Sequence, residues 1–124
     1  MLSEIQKQLR EMSKSTDKPI TKMKKAGAII LAKANMGEYA SRYVGSAYGI
    51  TRNAYDLNRN ANGSSGGTGS GIAANFATVG IGEDTGGSIR GPASFSNIVG
   101  LRATVPLVSR YGMMPSHPTM DTLG

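Results

Sequence analysis

The stretch Gly63-Ser64-Ser65-Gly66-Gly67, followed after a run of small residues by Gly82-Glu83-Asp84-Thr85-Gly86-Gly87-Ser88-Ile89-Arg90, decides how this chain reads. Residues 63–71 hold five glycines and three serines, and Ser64 precedes Ser88 by 24 positions. Glycine and serine are ordinary turn residues, so two flexible loops are the plain reading. Each cluster also abuts an apolar segment, Ile72-Ala73-Ala74 after the first and Val79-Gly80-Ile81 before the second. That adjacency implies tight packing in place of a floppy linker. Composition alone leaves both readings open.

Outward from the clusters, the pattern predicts alternating short helices and strands. Residues 72–77 read as a tightly packed helix, 79–82 as a short strand, and 83–90 as a functional turn. Residues 92–98 read as a helix, because proline is tolerated in a first turn. Residues 101–107 read as a strand interrupted by Pro106. Upstream, 35–42 is predicted helical and joined to Asn62 by a loop rich in Gly, Ser, Asn and Tyr. Residues 28–31 read as a buried strand, preceded by a helix over 21–26 that Gly27 stops. Pro19 argues against helix at Lys18. Nearest the N-terminus, Ser3 and Gln6 form a capping box, and Leu2, Ile5, Leu9 and Met12 make one amphipathic stripe. Helix–glycine–strand order is a common joint of α/β folds, which is the class expected here. No internal repeat is evident.

Composition excludes several functions. With 124 residues the chain is one small domain or a piece of a larger one. Cysteine is absent and His117 is the one histidine, so disulfides, thiolate metal sites and multi-histidine clusters are excluded and no metal or other cofactor is implied. The longest apolar run, residues 26–32, is too short to span a bilayer. No signal-peptide pattern follows Met1, so the expected compartment is cytoplasmic. The net charge of +6 is uneven: residues 1–33 hold eight Lys/Arg against three acids, and the rest six against five. Without interleaved aromatics this basic region reads as a solvated helix face and not as a nucleic-acid surface.

Taken together, the first cluster, the small-residue helix and Gly-x-Asp-Thr-Gly-Gly-Ser-Ile-Arg resemble the signature of the amidase-signature family. The flanks agree: Ala26-Gly27-Ala28-Ile29-Ile30-Leu31-Ala32-Lys33-Ala34-Asn35-Met36 upstream, Val99-Gly100-Leu101-Arg102 and Ser109-Arg110-Tyr111-Gly112 downstream, and Asp121-Thr122-Leu123-Gly124 at the end. The resemblance covers residues 21–124, and the spacing of Ser64 and Ser88 matches that of the family's two catalytic serines. On this reading residues 20–124 are part of an amidase-signature domain, an α/β/α sandwich with a mixed sheet, and residues 1–19 are a divergent N-terminal helix and linker.

The resemblance implies a Ser–cis-Ser–Lys mechanism on a small-molecule or peptide amide. Ser88 would attack the carbonyl to form an acyl-enzyme. Ser64, following a cis peptide after Gly63, would relay the proton. The N–H groups of Thr85, Gly86, Gly87 and Ser88 would form the oxyanion hole. Asp84 and Arg90 are expected to rigidify the turn as an ion pair, and Ser65 to support it with a hydrogen bond. Lys33 and His117 read as structural.

The resemblance also has gaps. Counted back from Ser64, the family's lysine base falls before Met1, and Lys7, Lys14 and Lys18 lack its apolar-Lys-Asp context. The chain is therefore expected to be a fragment, a truncated product or a domain of a larger enzyme, with little amide hydrolysis by itself. Asn62 stands where glycine is usual and Ala54 where proline is usual. Family members act on small amides, peptide C-terminal amides, fatty amides and glutamine attached to aminoacyl-tRNA chemistry, so the substrate is not legible. Three other readings exist. Gly63-x-Ser65-x-Gly67 matches a nucleophile elbow, but polar residues 58–62 precede it where a buried strand is required. Gly66 to Gly71 opening a helix could bind phosphate or a nucleotide, though the Lys-Ser/Thr pair of a P-loop is missing. A catalytically inactive fragment is the third.

Overall fold

The computed structural model describes residues 18–44 and 47–124. The expected capping box at Ser3 and the stripe from Leu2 to Met12 lie outside those residues. Among the described residues there are three α-helices, α1 (Lys18–Lys25), α2 (Gly66–Ala73) and α3 (Arg90–Phe95), and one 3-10 turn, Glu38–Ala40. None is long and apolar enough to cross a membrane.

Helix α1 begins at Lys18, earlier than the sequence predicted. Pro19 sits in the first turn, where a missing N–H leaves no intrahelical bond unmade. Lys22, Lys24 and Lys25 occupy the last turn, the favourable end of the helix dipole for cations. The helix stops as expected at Gly27, with φ of 94°. There the Ala28 N–H reaches back to the Met23 carbonyl and the Gly27 N–H to that of Lys24, each at 3.0 Å, which is a Schellman cap. The same cap closes the other two helices around asparagines. Asn75 (φ 60°) ends α2, with Phe76 N–H on Gly71 and Asn75 N–H on Ile72. Asn97 (φ 52°) ends α3, with Ile98 N–H on Ala93 and Asn97 N–H on Ser94.

Helix α2 corrects the reading of a helix over 72–77, since it begins at Gly66 and ends at Ala73. Its glycines are inside the helix. An interior glycine costs about 1 kcal/mol relative to alanine, and close packing at Gly67 and Gly69 offsets that cost. A Cβ at Gly67 would collide with the Asn35 backbone, and one at Gly69 would lie 3.1 Å from both Pro92 Cβ and Ser96 Oγ. Helix α2 thus lies against α3 and the 35 segment at backbone distance. The Ser70 hydroxyl donates to the Arg52 carbonyl (2.6 Å) and that of Thr68 to Ile81 (3.1 Å), tying loops on both sides to the helix.

The predicted helix over 35–42 reduces to the 3-10 turn, with Tyr39, Ala40 and Arg42 at positive φ. Its backbone groups are spent elsewhere: the Asn35 carbonyl accepts from Gly67 N–H (3.0 Å) and Gly37 N–H donates to the Ser64 carbonyl (3.1 Å).

The strands predicted over 28–31, 79–82 and 101–107 do not form among the described residues, where pairing is limited to isolated antiparallel bridges, Arg52 with Asn60 and Glu83 with Leu123. A strand exists only through a neighbour that accepts its ladder bonds. Apart from Gly82 these segments lie without one, and most of their large apolar side chains stay in solvent: Ile29 is 84% exposed, Val79 65% and Leu101 72%. The second bridge does bear on the site. Gly82 and Gly124 exchange N–H to carbonyl bonds (2.9 and 3.3 Å), and Asp84 N–H donates to Thr122 (2.9 Å), fastening the turn 83–90 to the C-terminal residues.

Candidate active site

The two serine-glycine clusters meet. Ser65 N–H donates to the Ser88 carbonyl at 3.2 Å. The Ser65 hydroxyl donates to the Glu83 carbonyl (3.2 Å) and accepts from the Glu83 N–H (3.1 Å). That occupation, with Ser65 buried, speaks against Ser65 as the nucleophile of an elbow.

Ser64 is buried beside it, and the Gly63–Ser64 peptide is cis. A Cβ at Gly63 would run into the Arg42 carbonyl, so this approach needs glycine. Asn62, standing in for a glycine, adopts φ of 62° and accepts the Gly63 N–H on its own Oδ1 (2.7 Å). Asparagine is among the few residues that tolerate this region. The Ser64 Oγ has no hydrogen-bond partner among the described residues. A buried hydroxyl without a partner is unusual, and the Ser96 Oγ is the other such group among the described residues.

Asp84 organises the turn that carries Ser88. It is fully buried. Its Oδ1 accepts from Gly87 N–H (2.7 Å) and Arg90 Nη2 (3.1 Å). Its Oδ2 accepts from Ile89 N–H (3.1 Å), Arg90 N–H (3.2 Å) and Arg90 Nε (3.1 Å). Arg102 Nε adds a third cationic approach at 3.4 Å. Burial opposes the charge on Asp84. The Arg90 fork, followed by the amides of Ile89, Arg90 and Gly87, outweighs it and holds the carboxyl well below the ordinary Asp range. The same carboxylate covers the first amides of α3, so that helix starts at Arg90, ahead of the predicted 92.

Ser88 is half-buried on this turn. Of the four amides expected to face an oxyanion, that of Gly87 is committed to Asp84, which removes it from the set. Those of Thr85, Gly86 and Ser88 have no protein partner among the described residues. A Cβ at Gly86 would meet nothing within 4 Å, so the turn is open there.

The remaining residues fall outside this cluster. Lys33 lines an open apolar cavity of about 500 Å³ between α1, α2 and residues 76–81. The His117 ring contacts Thr119 Oγ1 (3.2 Å). Among the described residues no cluster of His, Cys, Asp and Glu could hold a metal. The phosphate reading of α2 loses a donor, since Gly67 N–H is taken by Asn35. Two participants were missed from sequence: Arg102, and Asp121, whose carboxylate accepts from the Thr85 hydroxyl (2.6 Å) and from the N–H groups of Ser116 and His117 (2.7 Å each). Both lie in flanks that match the signature, which was the available signal.

Comparison with known proteins agrees with this geometry. The sequence profile of the Amidase family matches residues 7–124, and the chain belongs to that family. It is 49% identical over 107 residues to a glutamyl-tRNA(Gln) amidotransferase subunit from Archaeoglobus fulgidus, covering 85% of this chain and 23% of that one. Its structure is similar to that of the corresponding amidotransferase subunit from Thermotoga maritima, with a TM-score of 0.82 and 41% identity over 89% of this chain and 24% of the other. It is also similar to a peptide amidase crystallised with the competitive inhibitor chymostatin, with a TM-score of 0.81, 40% identity and coverage of 85% and 23%. The chain spans about a quarter of the length of these relatives. Its α/β class follows from these solved relatives and not from strands of its own.

Proposed function

We propose that these residues are the reaction core of a hydrolase that cleaves a carbon–nitrogen amide bond through a serine acyl-enzyme. Ser88 is the nucleophile, and Ser64 passes its proton on and later helps protonate the leaving amine. The amides of Thr85, Gly86 and Ser88 receive the negative charge that develops on the carbonyl oxygen. Losing one such donor costs about 3–4 kcal/mol of transition-state stabilisation in well-studied hydrolases. Asp84, Arg90 and Ser65 hold the turn rigid around them. The single observation that carries the reading is the meeting of the clusters: Ser65 bonded to Ser88, with the buried Ser64 hydroxyl beside it left without a partner. The substrate is a small-molecule or peptide amide, the class suggested by the relatives' names.

A fluorophosphonate probe tests the nucleophile. In a chain of the relatives' full length, Ser88 is expected to be labelled and Ser88→Ala to abolish labelling. Labelling that persists in Ser88→Ala and disappears in Ser65→Ala would sink the proposal. The 124 residues alone are expected to turn over little or no simple primary amide, because no described base contacts Ser64 Oγ. Steady release of ammonia from such an amide by the purified chain would contradict this.

A further inference from the structure

Two carboxyl groups converge on one hydroxyl beside Ser88. Thr85 Oγ1 lies 2.8 Å from Glu83 Oε1 and 2.6 Å from Asp121 Oδ1. A threonine hydroxyl carries one proton and donates to one of these oxygens. The other contact sets a lone pair against a carboxyl oxygen, which is a hydrogen bond only when that carboxyl is protonated. The arrangement therefore needs two protons, one of them on a carboxyl. Asp121 is the better anion, since its Oδ2 also accepts the Ser116 and His117 N–H groups. Glu83 faces the charges of Asp121 and Asp84 with Arg102 opposing them, while Arg90 is turned to Asp84.

We propose that Glu83, Thr85 and Asp121 form a directional relay, Glu83 O–H to Thr85 Oγ1 and Thr85 O–H to Asp121 Oδ1, which makes Glu83 and Asp121 positioning residues for the Thr85 backbone beside Ser88. The positioning role rests on the hydrolase reading above; the location of the proton does not.

Burial pushes the Glu83 carboxyl up, as do the Asp121 and Asp84 charges, against Arg102 and against the Thr85 O–H whenever that hydroxyl donates to Glu83 instead of to Asp121. Burial also opposes the charge on Asp121, but the Thr85 hydroxyl and the His117 and Ser116 amides outweigh it and hold it below the usual Asp range; the His117 charge adds to this. The Glu83 contribution is complete below the ordinary Glu range and is lost as pH rises through its raised value. That of Asp121 is present above the ordinary Asp range and is lost as pH falls through its lowered value. The relay is closed between the two.

Carboxyl carbon NMR of the full chain locates the proton without any turnover. Glu83 is expected to titrate above the ordinary Glu range. Its midpoint is expected to move down in Thr85→Val, where its proton loses its acceptor, and to hold in Thr85→Ser. A wild-type midpoint at or below the ordinary range overturns the proposal even if no variant folds, as does an upward move in Thr85→Val. The positioning role is read from the pH profile of Ser88 labelling by the fluorophosphonate in the full-length context. An inflection at the Glu83 midpoint is expected there and should vanish in Glu83→Gln, whose amide donates to Thr85 at every pH. Persistence of that inflection in Glu83→Gln overturns the positioning role. Absence of any Ser88 labelling counts against the hydrolase reading alone, and the carboxyl titration still decides where the proton resides.

Discussion

The turn around Ser88 and the apolar flanks that surround it are built on opposite terms. In the first, the largest fully buried side chains are Thr122, Asp84, Asp121, Pro92, Ser64 and Ser96, five of them polar. In the second, Ile29 is 84% exposed, Val99 96% and Leu107 78%. Globular chains usually show the reverse distribution. The difference separates two kinds of cohesion. Polar groups close on each other over short distances, so 83–90, 63–66 and 121–124 bond to one another within the described residues, the Ser64 hydroxyl excepted. Apolar segments cohere only through an opposing layer, and the exposed side chains of 28–31, 99 and 107 have none among those residues.

This contrast can be broken by mutation, and the largest effect should fall on Asp84. Asp84→Ala removes the acceptor of three amides and two arginines, and is expected to cost roughly 3–5 kcal/mol of unfolding free energy in urea titrations, chiefly through the amides left without an acceptor. A loss under about 1 kcal/mol would mean that the polar centre does not hold the fold. Next comes the backbone contact of α2 with α3. Gly69→Val inserts methyl groups where Pro92 and Ser96 already sit 3.1 Å from a Cβ position, and overpacking of this kind costs about 1–3 kcal/mol. Thermal unfolding would register it as a lower midpoint; an unchanged midpoint would show the helices free to separate. The smallest effect is expected at the flanks. Ile29→Ser should alter stability by no more than about 0.5 kcal/mol. Self-association measured by light scattering should fall instead, because contiguous exposed apolar surface promotes it. A marked destabilisation would reveal a packing partner for 28–31.

How legible each region was follows from the same contrast. One helix end was readable because the signal is local: Gly27 supplies the positive φ that a Schellman cap requires, whereas Asn75 and Asn97, which end the other two helices in the same way, were read as helix interior. Helix α2 was not, because its glycines are poor helix formers by propensity. Two of them, Gly67 and Gly69, fit only glycine because Asn35, Pro92 and Ser96 crowd them, a fact of tertiary contact. The strands failed for the complementary reason. Residues 28–31 and 79–82 have strand composition, but pairing belongs to two segments and not to one.

The 24-residue interval between Ser64 and Ser88 and the Gly-x-Asp-Thr-Gly-Gly-Ser-Ile-Arg pattern were enough, by themselves, to identify the amidase family, since residue type and spacing are properties of the chain. Only the tertiary structure decided the partners. It assigned the Gly87 amide to Asp84 and not to an oxyanion, left the Ser64 hydroxyl buried without a partner, and brought Asp121 across 36 residues to Thr85. A hydrogen bond depends on distance and angle to a particular atom, and those are settled only when distant parts of the chain are folded against one another.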